Sequence, residues 1–405
     1  MPFIHLSTTP GGTPRQCCFA SKSIIKKNSS EDFNLGSDSI GDIWNSQSAK
    51  DFRMRFAKGE KPEVCKQCWI DEDNGRFSKR KRENKKYLAK HSTTVQNTID
   101  NEGVCEVLPS YVDIRLGNLC NLKCRICHAS ESSTLASEVQ KSWDKDGEFY
   151  AYQNNDVLSP KEKTWYKSET YWDNFEKIVP ALEHIYLVGG EPTIIPDTYK
   201  VFEKCFDHKR EKHIHLRFNT NFQILEQRFL DDIVRFKSVR FTASIDGDRS
   251  SISYLRHPAK WELIEENLRK CLELPPHIEL IIHFTASTMN LFNFEKLYWD
   301  VQEIAKDYKK PVRFGILPIH NPKYLSPNIL LPELKKRARK NLESLSEKIH
   351  ESESHQLLGL LNIMDHEPEN AGKLRQQFKD YTLMLDRLRG ENFAQTFPDL
   401  TSMLD

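Results

Sequence analysis

From residue 109 onward, short β-rich runs alternate with amphipathic helical stretches, and this alternation limits the fold more than any other feature. The runs are Tyr111–Leu116, His184–Val188, His213–Asn219, Val239–Ile245, Glu279–Ala286 and Val312–Leu317. Between most of them lie stretches such as DTYKVFEKCF, WELIEENLRKCLEL and LFNFEKLYWDVQEIA, apolar at helical spacing. Parallel strands need crossovers of this kind, so the pattern predicts an α/β fold with a parallel sheet, open or curled into a barrel. The gap at about 128–183 is longer than one crossover and is expected to carry an insertion rich in Trp143, Tyr150, Tyr152, Trp165, Tyr166, Tyr171 and Trp172. Such aromatic density is more often core than substrate wall. Beyond Pro332 the pattern is helical only.

Charge and cysteine usage narrow the class. The chain has 405 residues with 59 Lys and Arg against 58 Asp and Glu, so no overall field draws it to polyanions or acidic membranes. No apolar run approaches the roughly 18 residues of a membrane span. The opening MPFIHLSTTPGG lacks the basic and apolar regions of a secretory signal, so a cytoplasmic location is expected. Eight of ten cysteines fall in the first third: Cys17, Cys18, Cys65, Cys68, Cys105, Cys120, Cys124 and Cys127. In a reducing compartment such clusters hold metal more often than they form disulfides. Cys205 and Cys271 lie in helical patterns and read as small buried apolar residues.

The motif Cys120-Asn-Leu-Lys-Cys124-Arg-Ile-Cys127 directly follows the first predicted strand. Structural zinc sites are closed by four ligands, whereas here three thiols crowd together with only His128 beside them. Three thiolates can hold three irons of a [4Fe–4S] cube and leave the fourth open to a cosubstrate. LVGGEP at 187–192 ends the second strand, and Ser244-Ile245-Asp246-Gly247 ends the fourth. The three motifs, in this order, resemble those of the radical S-adenosylmethionine (SAM) enzymes.

The resemblance covers about residues 110–320 and implies a partial (β/α)6 TIM-like barrel, with SAM cleaved reductively to a 5′-deoxyadenosyl radical. It implies that Cys120, Cys124 and Cys127 hold the cluster. Gly189 and Gly190 would admit the methionyl group, and Glu191 would accept from its ammonium. Ser244 and Asp246 would bond the ribose, and Arg256 would pair with the SAM carboxylate. Asn219, Thr285 and Ser287 are further polar candidates, while Ile126 and Leu317 would flank the adenine. An electron donor such as flavodoxin or ferredoxin is implied as partner.

The first 75 residues contain GTPRQCC at 12–18, IGDIWNS and EKPEVCKQCW. These resemble the SPASM/Twitch modules, which hold an auxiliary iron–sulfur cluster. Cys17, Cys65 and Cys68 fit the ligand pattern, with Cys18, Cys105 or a substrate atom open as the fourth. A zinc site built from the same four cysteines, Cys17, Cys18, Cys65 and Cys68, is the alternative. The expected organisation is thus a cysteine-rich module at 1–75, a polar connector at 76–108, the barrel at 109–320 and a helical extension at 321–405. The substrate expected by resemblance is a peptide or small molecule. The basic run SKRKRENKK leaves RNA as a second reading, although a solvated helix face explains such a run more simply. A non-catalytic zinc scaffold is a third.

Overall fold

The computed structural model describes residues 1–20, 25–73, 78–146 and 158–405. Its strands are β1 (His5–Thr8), β2 (Pro14–Arg15), β3 (Tyr111–Ile114), β4 (Lys123–Cys124), β5 (His184–Leu187), β6 (His215–Thr220), β7 (Ser238–Ser244), β8 (Arg256–His257), β9 (Ile278–Ala286) and β10 (Arg313–Pro318). Eight form one sheet in the order β10-β9-β7-β6-β5-β3-β1-β2, and β4 pairs with β8 in a separate ladder. The pairs β1–β3, β3–β5, β5–β6 and β9–β10 are parallel. The α/β fold expected from the alternation is therefore present. The six expected strands recur within about two residues at each end.

The chain divides into two compact units. The first comprises Met1–Leu119, Leu158–Phe218 and Asp231–Val239, and the second the remainder. In the first unit the N-terminal segment does not stand apart: its strand β1 lies parallel to β3, with Ser7 opposite Asp113. One face of these strands is apolar, where Leu6, Val112 and Ile114 meet Tyr171, Phe175 and Ile178. The aromatic insertion supplies this layer. Trp165 donates from Nε1 to the Pro10 carbonyl at 2.9 Å, and its ring meets Tyr171 edge-on at 4.8 Å. Those aromatic residues are core, whereas Tyr150, Tyr152 and the Trp143 side chain lie outside the described residues. The other face is layered by register. One row runs His5, Tyr111, His184, His215, and the next Ser7, Asp113, Tyr186, Arg217. Burial holds His5 and His184 well below the ordinary imidazole value, so the first row is neutral.

In the second unit, amphipathic helices cover the sheet. The helix Trp261–Glu273 buries Trp261, Ile264, Leu268, Cys271 and Leu272, one stripe at 3.6-residue spacing. Cys271, and Cys205 in the first unit, are fully buried as expected of apolar-like residues. Strand β10 is a sheet edge, and bare edge amides invite pairing with other chains. Here they are taken by side chains of the helix Glu351–Asp365. The Phe314 amide donates to Glu353 Oε1 at 2.6 Å, and the Ile316 amide to Gln356 Oε1 at 2.8 Å. Tyr298 donates to the other Glu353 oxygen at 3.1 Å. Glu353→Ala is expected to cost about 1–3 kcal/mol by leaving buried donors unpaired, which thermal denaturation would register as a lowered Tm.

Candidate functional site

In the second unit the cysteine loop starts at Cys120, passes through β4 and runs into the helix Ser133–Asp146. Its shape is fixed by short polar side chains. Ser133 Oγ accepts from the Cys120 amide at 3.1 Å, while Ser132 and Thr134 each donate to the Leu122 carbonyl at 2.7 Å. The Cys127 amide closes a turn onto the Cys124 carbonyl at 3.1 Å. Burial raises the Cys124 thiol and pushes the Cys127 thiol well up, the latter helped by the charges of Cys124 and Cys120. The charges of Cys124 and Cys120 thus oppose ionisation of Cys127, and a cationic centre bound by these thiols would reverse that opposition. Among the described residues no three His, Cys, Asp or Glu converge tightly enough for a single ion. A four-iron cube spreads its thiolates more widely than one ion does.

Arg125, between Cys124 and Ile126, anchors this loop and was not recognised as functional in the sequence. Its side chain is fully buried. It donates to the Tyr254 carbonyl from Nε at 3.1 Å, and from Nη2 to Asp386 at 2.7 Å and Glu391 at 2.6 Å. Its guanidinium lies 3.7 Å from the Tyr254 ring centroid. Tyr381 donates to the Arg125 carbonyl at 2.6 Å. Asp386 and Tyr381 belong to the helix Ala371–Arg389, which ends at Gly390 with φ +64°. That left-handed residue ends the helix immediately before Glu391, whose other oxygen is 2.6 Å from His257 Nδ1. The partners lie 261 and 266 positions along the chain, so no local signal could reveal them.

The Ser244–Gly247 segment is tied to the same loop. Cys124 pairs with Arg256 across the β4–β8 ladder. Arg256 donates from Nε to Asp246 Oδ2 at 2.7 Å, and Asp246 Oδ1 accepts the Thr285 amide at 2.8 Å. Asn290 donates to the Asp246 carbonyl at 2.9 Å. Two residues that resemblance assigns to separate parts of SAM are therefore ion-paired with each other. Ser287 is buried, its amide on Asn290 Oδ1 and its hydroxyl accepting from Met289, a turn-forming pattern. Ser244 and Ile126 are half-buried. Leu317 is exposed, opposite Thr285 in register. Asn219 carries a buried Oδ1 without a hydrogen-bond partner among the described residues, an acceptor that a polar ligand's donor would satisfy. Sequence reasoning also missed Asn221, whose amide donates to Asn121 at 2.7 Å and lies 3.9 Å from Cys120 Sγ.

In the first unit, Gly189 and Gly190 have φ of +88° and +58°. A Cβ on Gly190 would press against the Leu119 carbonyl oxygen, so the double glycine is a steric requirement. The Glu191 amide donates to that carbonyl, one residue before Cys120, at 2.8 Å. Glu191 is buried and accepts from the Thr193 hydroxyl at 2.8 Å.

The same unit brings Cys17, Cys65 and Cys68 to one cavity of about 290 Å³. Its apolar wall includes Phe3, Phe52 and Phe56, and its polar wall includes Lys79 and Arg80. The Cys18 hydrogen bond and Lys79 hold the Cys17 thiol down at about 7 against burial. Burial, with the Cys68 charge, pushes the Cys65 thiol up to about 11. Cys18 receives the Lys79 ammonium, Nζ to Sγ 2.6 Å. Cys105 is turned away, its thiol directed at the Val107 carbonyl at 3.3 Å and the Phe3 carbonyl at 3.6 Å. The helix Lys79–Tyr87 carries the basic run. It is not merely a solvated face, since Lys79 and Arg80 turn into the cysteine cavity.

Residues 114–293 match the model of the radical SAM superfamily, and residues 1–69 match that of the SPASM iron–sulfur cluster-binding domain. The chain therefore carries a radical SAM domain and, at its N-terminus, a SPASM-type iron–sulfur cluster-binding module. These domains imply a SAM-binding [4Fe–4S] cluster, SAM and auxiliary iron–sulfur as cofactors, and a partial TIM-like barrel. No curated protein matches the chain. Among solved structures, SuiB of Streptococcus suis bound to S-adenosylmethionine is 13% identical over 64% of this chain and 49% of that one, with TM-score 0.34. anSMEcpe with bound AdoMet is 19% identical over 57% and 59%, with TM-score 0.38. SuiB bound to the precursor peptide SuiA is 11% identical over 83% and 64%, with TM-score 0.34. The chain spans about half to two thirds of the length of these structures.

Proposed function

We propose that this enzyme abstracts hydrogen from a peptide or small-molecule substrate in the cytoplasm, with an auxiliary cluster aiding an oxidative outcome. The observation that carries the reading is the continuous link in the second unit from Cys124 through Arg256 to Asp246 and the Thr285 amide. It couples the thiol triad to the segment proposed to receive SAM. When bound, the cluster and SAM supply a 5′-deoxyadenosyl radical able to take hydrogen from an unactivated C–H bond.

The chain's own residues hold and orient. Cys120, Cys124 and Cys127 are proposed as cluster ligands, set by the Ser132–Thr134 turn and by Arg125. The glycine pair would let the methionyl group approach the backbone, and Glu191 would accept from its ammonium. Asp246 would meet the ribose, with Arg256 holding that carboxylate in place, and the unpaired Asn219 oxygen supports a further polar contact. A flavodoxin or ferredoxin would deliver electrons. RNA is less favoured because two cations of the basic run are spent inside the protein: Lys79 on Cys18, and Arg80 on Glu72. No helix is long and apolar enough to cross a membrane among the described residues.

Iron, acid-labile sulfide and zinc per chain after anaerobic purification test the reading. About eight irons with matching sulfide support two cubes. Zinc alone, with no iron recoverable on reconstitution, would sink it.

A further inference from the structure

Lys79 is placed unlike the other cations of its run. Its ammonium points at Cys18 Sγ, 2.6 Å away, and the residue lines the cavity that Cys17, Cys65 and Cys68 share. Arg80, beside it on the same wall, is taken by Glu72 through Nε at 2.9 Å and through Nη2. Lys79 is half-buried, with the Phe19 ring centroid 4.8 Å from Nζ. A half-buried cation beside a thiol cluster is screened less than one in open water, so its charge is felt there. Iron–sulfur potentials respond to the net charge around the cluster, and Lys79 places a positive charge on the cavity wall.

We infer that Lys79, seated on Cys18, is the positioning cation of the auxiliary site and sets that cluster's reduction potential through its charge. The inference rests on the reading that the N-terminal module holds iron–sulfur. Reduction adds negative charge to the cluster, and a neighbouring ammonium favours the more negative state. Lys79 therefore raises the potential and makes the auxiliary cluster a better electron acceptor. Cys18, which takes the ammonium and does not line the cavity, serves as the lysine's seat on this side of the site.

The test is an EPR-monitored redox titration of the full, anaerobically reconstituted chain, with wild type, Lys79→Met and Lys79→Arg compared. The auxiliary signal is expected to move to a more negative midpoint in Lys79→Met and to return toward wild type in Lys79→Arg. The radical SAM cluster's midpoint, as internal reference, is expected to stay put. An unchanged auxiliary midpoint in Lys79→Met with its iron intact would overturn the inference. If Lys79→Met loses the auxiliary iron, Lys79→Arg decides. Recovery of iron and midpoint supports a role for charge, and loss in both variants means shape alone matters and overturns it. Zinc in place of auxiliary iron in the wild type would instead defeat the underlying reading, before any variant is compared.

Discussion

Arg125→Met is expected to strip the radical SAM cluster while leaving the auxiliary one in place. Arg125 is fully buried, and its removal takes away the guanidinium that joins Asp386 and Glu391, leaving the first to Tyr254 and the Phe393 amide and the second to His257. Burial works against the Glu391 carboxylate, and the hydrogen bonds and charges of His257 and Arg125 hold it below the ordinary carboxylate value. Breaking such a buried pair from one side costs about 3–5 kcal/mol. The cost falls on the loop that carries Cys124 and Cys127, because Arg125 lies between them and its carbonyl is held by Tyr381. Iron per chain is expected to fall by about half, with the auxiliary EPR signal retained. Arg125→Lys is expected to recover only part of the iron, since an ammonium lacks the planar fork that meets two carboxylates and stacks on Tyr254. Full iron in Arg125→Met would refute the anchoring role.

Asp246→Asn should separate SAM binding from cluster binding. The asparagine still accepts the Thr285 amide through its oxygen but no longer carries charge for Arg256, whose guanidinium the carboxylate holds above its ordinary value despite burial. Arg256 would be released to swing, and the proposed ribose contact would lose an ionised acceptor. SAM affinity is expected to drop at least about tenfold, or about 1.4 kcal/mol, with iron content unchanged. Isothermal titration of the reconstituted chain with SAM measures this. Unaltered affinity would remove Asp246 from the SAM site.

Which parts of this account could be read in the sequence follows from how local the underlying physics is. Strand and helix positions are set by periodicity within ten or so residues, and so His184–Leu187 and Ile278–Ala286 lie where the pattern puts them. The cysteine triad, the double glycine and the Ser244–Gly247 segment are contiguous and equally legible. What stayed hidden depends on distant pairing. β1 is four residues before a Pro-Gly-Gly turn, and it reads as a strand only once β2 and the distant β3 pair on either side of it. Arg125 reads as an ordinary basic residue until Asp386 and Glu391 arrive from the far end of the chain. Asp246 and Arg256 each invite a ligand when taken alone, yet the fold pairs them at 2.7 Å. Lys79 was hidden by its neighbours, since a run of basic residues gives no hint which one turns inward.

The most direct test of the central claim is SAM turnover by the anaerobically reconstituted, dithionite-reduced full chain. Formation of 5′-deoxyadenosine and methionine, abolished in Cys124→Ala, is the result this account predicts. A chain that holds its full complement of iron and sulfide yet leaves SAM intact under those conditions would contradict it.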